Sequence, residues 1–197
     1  MKKLFLILAA ATLMTACGNK ENNHPNTDNQ TQDSTSLTIN SEDQALHNAI
    51  SDYLVKEVGT HYLQGELCIP ELTIVATDKQ ESEQTKVWGD FWVFWYNQVG
   101  DTLKCVSGGN HAGLMTLTKD GDQYKVTSFE QTVDGAGNVA SAKRIFGDYF
   151  DIYQNIHSCD SVRESARKEQ LHDYVKQNNL NAKYFQDYGW PAVALEK

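Results

Sequence analysis

The chain reads as an α+β protein, on three observations. Apolar residues from Leu46 to Val58 recur at steps of three and four, between Pro70 and Val133 the step falls to about two, and beyond Gly135 the longer step returns. Helix, strands, helices in that order predict an N-terminal helix packed on a bent antiparallel meander of about four strands, followed by C-terminal helices. The 157 residues from 41 to 197 are enough for one domain with a real core.

Ser41-Glu42-Asp43-Gln44 has the capping-box pattern that opens a helix. Leu46, Ala49, Ile50, Tyr53, Leu54 and Val58 then share one face, and Tyr62 extends the stripe past Gly59. The first strand is expected over Glu71–Thr77. The second, Val87–Asn97, sets Phe91, Val93 and Trp95 on one face and Trp88, Trp92, Phe94 and Tyr96 on the other, so both of its faces should be covered. A third strand, Thr102–Ser107, resumes after a bend at Gly108-Gly109 as Ala112–Thr118. Asp120-Gly121 turns the chain into a fourth, Gln123–Val133. Beyond the breakers Gly135 and Gly137, Ile145, Tyr149, Phe150, Ile152, Tyr153 and Ile156 have helical spacing. Ser161-Val162-Arg163-Glu164 opens a last helix that runs to Gln177 and stops at Asn178-Asn179. The aromatic segment Tyr184–Trp190 is expected to dock back on the body.

A leading helix across a bent meander, with the Gly108-Gly109 bend, resembles the cystatin-like and nuclear-transport-factor-like cone folds from about Ser41 to Val133. That group includes enzymes and plain binding modules, so the resemblance implies an architecture and no catalytic residue.

The first seventeen residues carry an address. Lys2 and Lys3 precede the apolar run Leu4–Ala11, then Met14-Thr15-Ala16-Cys17. The run is too short for a membrane span, which needs about 20 residues, and reads as a cleavable signal. Residues 1–16 resemble the signal peptide of bacterial lipoproteins, with a lipobox ending at Cys17, although Met14 stands where Leu is usual. The resemblance implies acylation of Cys17 and location in the bacterial cell envelope. Gly18, where inner-membrane retention would want Asp, points to the outer membrane. Residues 17–40 then form the lipidated Cys and a polar tether with no large apolar side chain before Leu37, expected to be disordered. Its span is roughly 25 Å. Residues 41–197 are the single globular domain.

The chain has 17 Lys and Arg against 26 Asp and Glu, and losing Lys2 and Lys3 with the signal leaves a net charge of −11. Such acidity argues against a nucleic-acid partner. No His or Cys spacing fits a metal site and no cofactor motif is present, so neither is expected.

Candidate site residues are few. Asp90, between Trp88 and Trp92 on an apolar strand, needs a wet pocket or a base such as Arg144. His111, in the glycine-rich stretch Ser107–Gly113, could work with Asp90 as acid and base if they share a pocket. Trp88, Trp92 and Tyr96 belong to an aromatic run that could bind a flat ligand or simply form core. Cys68, Cys105 and Cys159 remain once Cys17 is acylated; any one pair could bridge, and none can be chosen. The expectation is a lipid-anchored, non-catalytic module that binds a small molecule or another envelope protein. The alternative is a cone-fold enzyme acting on a small envelope metabolite or glycan through Asp90 and His111.

Overall fold

A computed structural model describes residues 41–79 and 84–196; the lipobox and the tether lie outside the described residues. The domain is α+β, with helix α1 (Ser41–Tyr53), strands β1 (Leu67–Asp78), β2 (Gln84–Val99), β3 (Thr102–Asn110), β4 (Gly113–Asp120) and β5 (Gln123–Gln131), helices α2 (Asn138–Phe146), α3 (Phe150–His157) and α4 (Asp160–Gln177), and two short strands, β6 (Tyr184–Gln186) and β7 (Val193–Ala194).

The sheet has seven strands, not about four. Two of the extra strands lie beyond the helices, so the order is helix, strands, helices, strands. The third comes from a break in the expected third strand. β3 pairs with Trp92–Val99 and β4 with Gln84–Gly89, both antiparallel, so β3 and β4 run along one edge of β2 while β1 runs along the other. β5 extends the sheet beyond β4, and β6 joins β3 in parallel.

The break falls at His111-Ala112, and β3 runs straight through Gly108-Gly109. Gly109 is glycine for a reason other than bending: a Cβ there would lie 2.3 Å from the Tyr62 hydroxyl. Gly109→Ala should therefore cost roughly 1–3 kcal/mol by overpacking. Tyr62→Phe in the same chain should recover part of that loss in denaturant unfolding, whereas simple additivity of the two would show that the hydroxyl is not the obstacle.

Alternation along β2 places the two sides of the core as expected. Phe91 and Val93 face α1, whose Leu46 and Ile50, continued by Leu54 and Val58, meet them together with Met115 and Leu117. These four helical positions are each four residues apart and at most 5% exposed, the signature of one buried stripe. Trp88, Phe94 and Tyr96 face the other helices.

Helix ends depart from the sequence reading in two places. Gln44 does not reach back toward Ser41; its amide donates to Asn48 at 2.9 Å. The N-cap of α4 is Cys159, ahead of the expected capping box, and no side chain caps it. The stretch of helical spacing from Ile145 to Ile156 is divided between two helices, because Gly147 adopts φ 51° and interrupts it. The end of α4 is as expected, with Asn179 at φ 52° just beyond it.

Candidate functional site

The helical side of the sheet carries a polar seam between two apolar clusters. At one end Trp88, Ala112 and Leu114 pack with Ile145, Phe146 and Tyr153. At the other, Ile69, Tyr96 and Leu103 pack with Leu171, Val175 and Phe185. Between them the register pairs Glu71 with Trp92 and Thr73 with Asp90, which makes the two carboxyl groups diagonal neighbours on one face.

Asp90 is 1% exposed, so its carboxylate needs donors. Asn110 Nδ2 donates to Oδ1 at 2.6 Å, His157 Nδ1 donates to the same oxygen at 3.2 Å, and Trp92 Nε1 donates to Oδ2 at 3.4 Å. Arg144, the base expected from sequence, instead pairs with Glu130 in solvent. His157 is 67 positions from Asp90, and no spacing rule links them.

Glu71 is 4% exposed, and its Oε1 has no hydrogen-bond partner. Burial pushes its carboxyl up to about 7; the Arg167 charge opposes the rise and Asp90 adds to it. Tyr153 Oη is likewise buried without a partner, and its ring stacks on His157 with centroids 5.1 Å apart. A carboxyl that keeps its proton beside a second acidic side chain can serve acid–base chemistry where a substrate reaches it. Here the crevice bounded by Glu71, Phe94, Tyr96, Arg167 and Gln170 has no room even for a water molecule. The seam instead holds α3 and α4 against the sheet. Gln170 clasps β1 by accepting from Leu72 N at 2.7 Å and donating to Leu72 O at 3.1 Å.

His111 does not join Asp90. Its Nδ1 donates to Gln131 Oε1 at 2.7 Å and its Nε2 accepts the Tyr62 hydroxyl at 2.8 Å. Tyr62 packs with Phe91 and Val93, on the α1 side, whereas Asp90, one residue from Phe91, points to the opposite side. The two therefore do not form one acid–base pair. Trp88 donates to Ile145 O at 2.8 Å and Tyr96 is fully buried, while Trp92 lies half-buried under Arg163, whose guanidinium is 5.5 Å from the ring centre. The aromatic run is core and helix-packing surface. Cys68, Cys105 and Cys159 are free thiols.

The exposed aromatics are elsewhere. The segment beyond α4 docks through Phe185 and Leu195, but Tyr188 is 97% and Trp190 71% exposed, against the expectation that Tyr184–Trp190 packs down. These two rings sit on a built turn. Trp190 N donates to Asp187 O at 3.1 Å, Gly189 at φ 79° supplies the positive angle that the third position requires, and Gln186 Nε2 donates to Trp190 O at 2.9 Å. Asp187 anchors the turn through two 2.7 Å hydrogen bonds from Arg167, whose Nε donates to Tyr96 Oη at 2.9 Å. Arg167 also lies 4.0 Å from the Phe94 ring centre and is itself largely buried. Only the aromatic content of this segment signalled it in the sequence; its exposure was not legible.

Position along β2 sets the turn apart from the chain entry. Glu42, the second residue of α1, accepts from Tyr124 Oη at 2.7 Å and pairs with Lys119 at 3.1 Å, beside the β4–β5 turn. β4 meets β2 at Gln84, the first residue of that strand. β6 lies at the other end, where Tyr184 pairs with Thr102 and Thr102 with Val99. A strand of 16 residues spans roughly 50 Å when straight. β6 starts at the Val99 end and runs parallel to β3, so the turn that follows Gln186 lies beyond the level of Lys104 and Asn97, in the half of β2 far from Gln84.

Among the described residues no group of three or more His, Cys, Asp or Glu could hold a metal, and no helix is long and apolar enough to cross a membrane. No family model, curated protein or solved structure matches the chain.

Proposed function

We propose that this chain is a lipid-anchored protein of the bacterial envelope, acylated at Cys17, whose domain is a non-catalytic module that binds a partner through the Asp187–Trp190 turn. Met14-Thr15-Ala16-Cys17 supports the anchor. The observation that carries the binding role is the fixed turn, which Arg167 anchors through Asp187 and which exposes Tyr188 and Trp190 to solvent. Large aromatic rings in a preset geometry lose little entropy on binding, which suits them to recognition. Trp88 and Tyr96 are committed to packing and Trp92 lies half-buried under Arg163, which favours the turn over the aromatic strand as the binding surface.

Both parts are tested on the full chain in its host membrane. Labelled fatty acid should enter the wild type and not Cys17→Ala. Whatever the wild type retains from envelope extract should be lost from Tyr188→Ala/Trp190→Ala. An unacylated wild type would remove the anchor, and equal retention by the double variant would remove the turn as the binding surface.

A further inference from the structure

The proposal of a binding turn leaves the ligand open, and three observations narrow it. The first is charge. The one ionised group in the turn, Asp187, is held bidentately by Arg167, so the turn presents no net charge to attract a phosphate, a carboxylate or a basic peptide.

The second is size. A stable protein interface buries about 800 Å² on each partner, whereas this surface is two rings on a four-residue turn. The adjoining sheet edge is β7, only Val193–Ala194, too short to template an added strand from another protein. The third is chemistry at the rim of the rings. Tyr188 carries a hydroxyl that can donate and accept, and Trp190 an indole N–H that can donate. Both side chains are mostly in solvent.

We infer that the Asp187–Trp190 turn is a stacking platform for a neutral oligosaccharide. The rings of Tyr188 and Trp190 lie against the C–H faces of two sugar units, and their polar tips meet sugar hydroxyls. Aromatic faces suit such C–H surfaces because the ring face is electron-rich and the sugar face is apolar between its hydroxyls. This inference rests on the turn being the binding surface.

The test uses the full chain in detergent, mixed with insoluble glucan, xylan, mannan and chitin, with soluble oligosaccharide of the same glycan as competitor. Saturable, competed retention on at least one polymer is expected. Tyr188→Ala/Trp190→Ala should weaken it at least tenfold at an unchanged melting temperature, and Tyr188→Phe/Trp190→Phe should keep most of it, since stacking survives. Retention on none of the four, or retention that the double alanine variant keeps, overturns the glycan assignment. Capture of an envelope protein, or of phosphatidylethanolamine vesicles, through the same two rings without glycan retention would also overturn it, yet would leave the turn as a binding surface. If the double alanine variant changes neither glycan nor partner retention, both proposals fall.

Discussion

Asp90→Ala is expected to be among the most damaging single substitutions in the domain. It removes the acceptor of Asn110 Nδ2, His157 Nδ1 and Trp92 Nε1 at once, and it leaves a space at a position only 1% exposed. Breaking a buried charged network by deleting one partner typically costs about 3–5 kcal/mol. Some of that is recovered here, because Asn110 Nδ2 also reaches Phe91 O at 3.3 Å and His157 is partly open to water. A loss of about 3 kcal/mol, or roughly 6–12 °C in melting temperature, is the expected result. Asp90→Asn should cost less, since its amide oxygen can still accept from Asn110 while its NH2 group faces other donors. Denaturant unfolding of the three proteins checks this. If Asp90→Ala and Asp90→Asn were each within about 0.5 kcal/mol of wild type, the range of an ordinary surface change, the seam would not be what holds α3 to the sheet.

That network shows where reading the sequence succeeds and where it stops. Alternation along β2 was enough to place Asp90 on the Trp88 and Trp92 side, because a strand's period of two depends only on backbone geometry. The same locality made the stripe from Leu46 to Val58 and the stop at Asn178-Asn179 readable. Naming the partner of Asp90 required knowing which distant element comes to rest against it. Charge alone pointed to Arg144, whereas packing of Tyr153 between Phe146 and the His157 ring delivers His157 instead. Glycines misled in a related way. Gly108-Gly109 looked like a bend, but Gly109 answers to the hydroxyl of Tyr62, a residue 47 positions earlier in the chain. Gly147, in a stretch of helical spacing, was the actual break. Aromatic residues carried the largest ambiguity. Trp92 and Trp190 are the same residue type in aromatic-rich surroundings, yet one lies under Arg163 and the other stands in solvent. What separates them is the Arg167–Asp187 link, a contact across 20 positions that fixes the turn outward.

Glu71→Gln is expected to stabilise the protein at alkaline pH and to leave it unchanged in acid. The side chain is buried at the meeting of four elements. Thr73 and Glu71 are on β1, Asp90 and Trp92 face it from β2, Arg163 and Arg167 from α4, and His157 reaches Asp90 from α3. In the folded chain the carboxyl holds its proton up to about pH 7, against an ordinary value of 4.5. Between those two values the folded state therefore binds more protons than the unfolded state, and stability falls as pH rises. The Glu71 contribution is fully present below about pH 4.5, declines across the interval and is gone above about pH 7. At about 1.4 kcal/mol per unit, the full difference is on the order of 3 kcal/mol. Glutamine matches the shape of the protonated acid and cannot ionise, so the variant should be more stable than wild type by up to that amount at pH 8 and indistinguishable from it at pH 4. Comparing variant with wild type at each pH cancels the titration of groups remote from Glu71, such as Glu42, which the Tyr124 hydroxyl and Lys119 hold below the usual carboxylate range and whose contribution is lost in acid. Parallel stability curves from pH 4 to pH 8 would show that Glu71 ionises in the folded chain as it does in water, and would overturn this expectation.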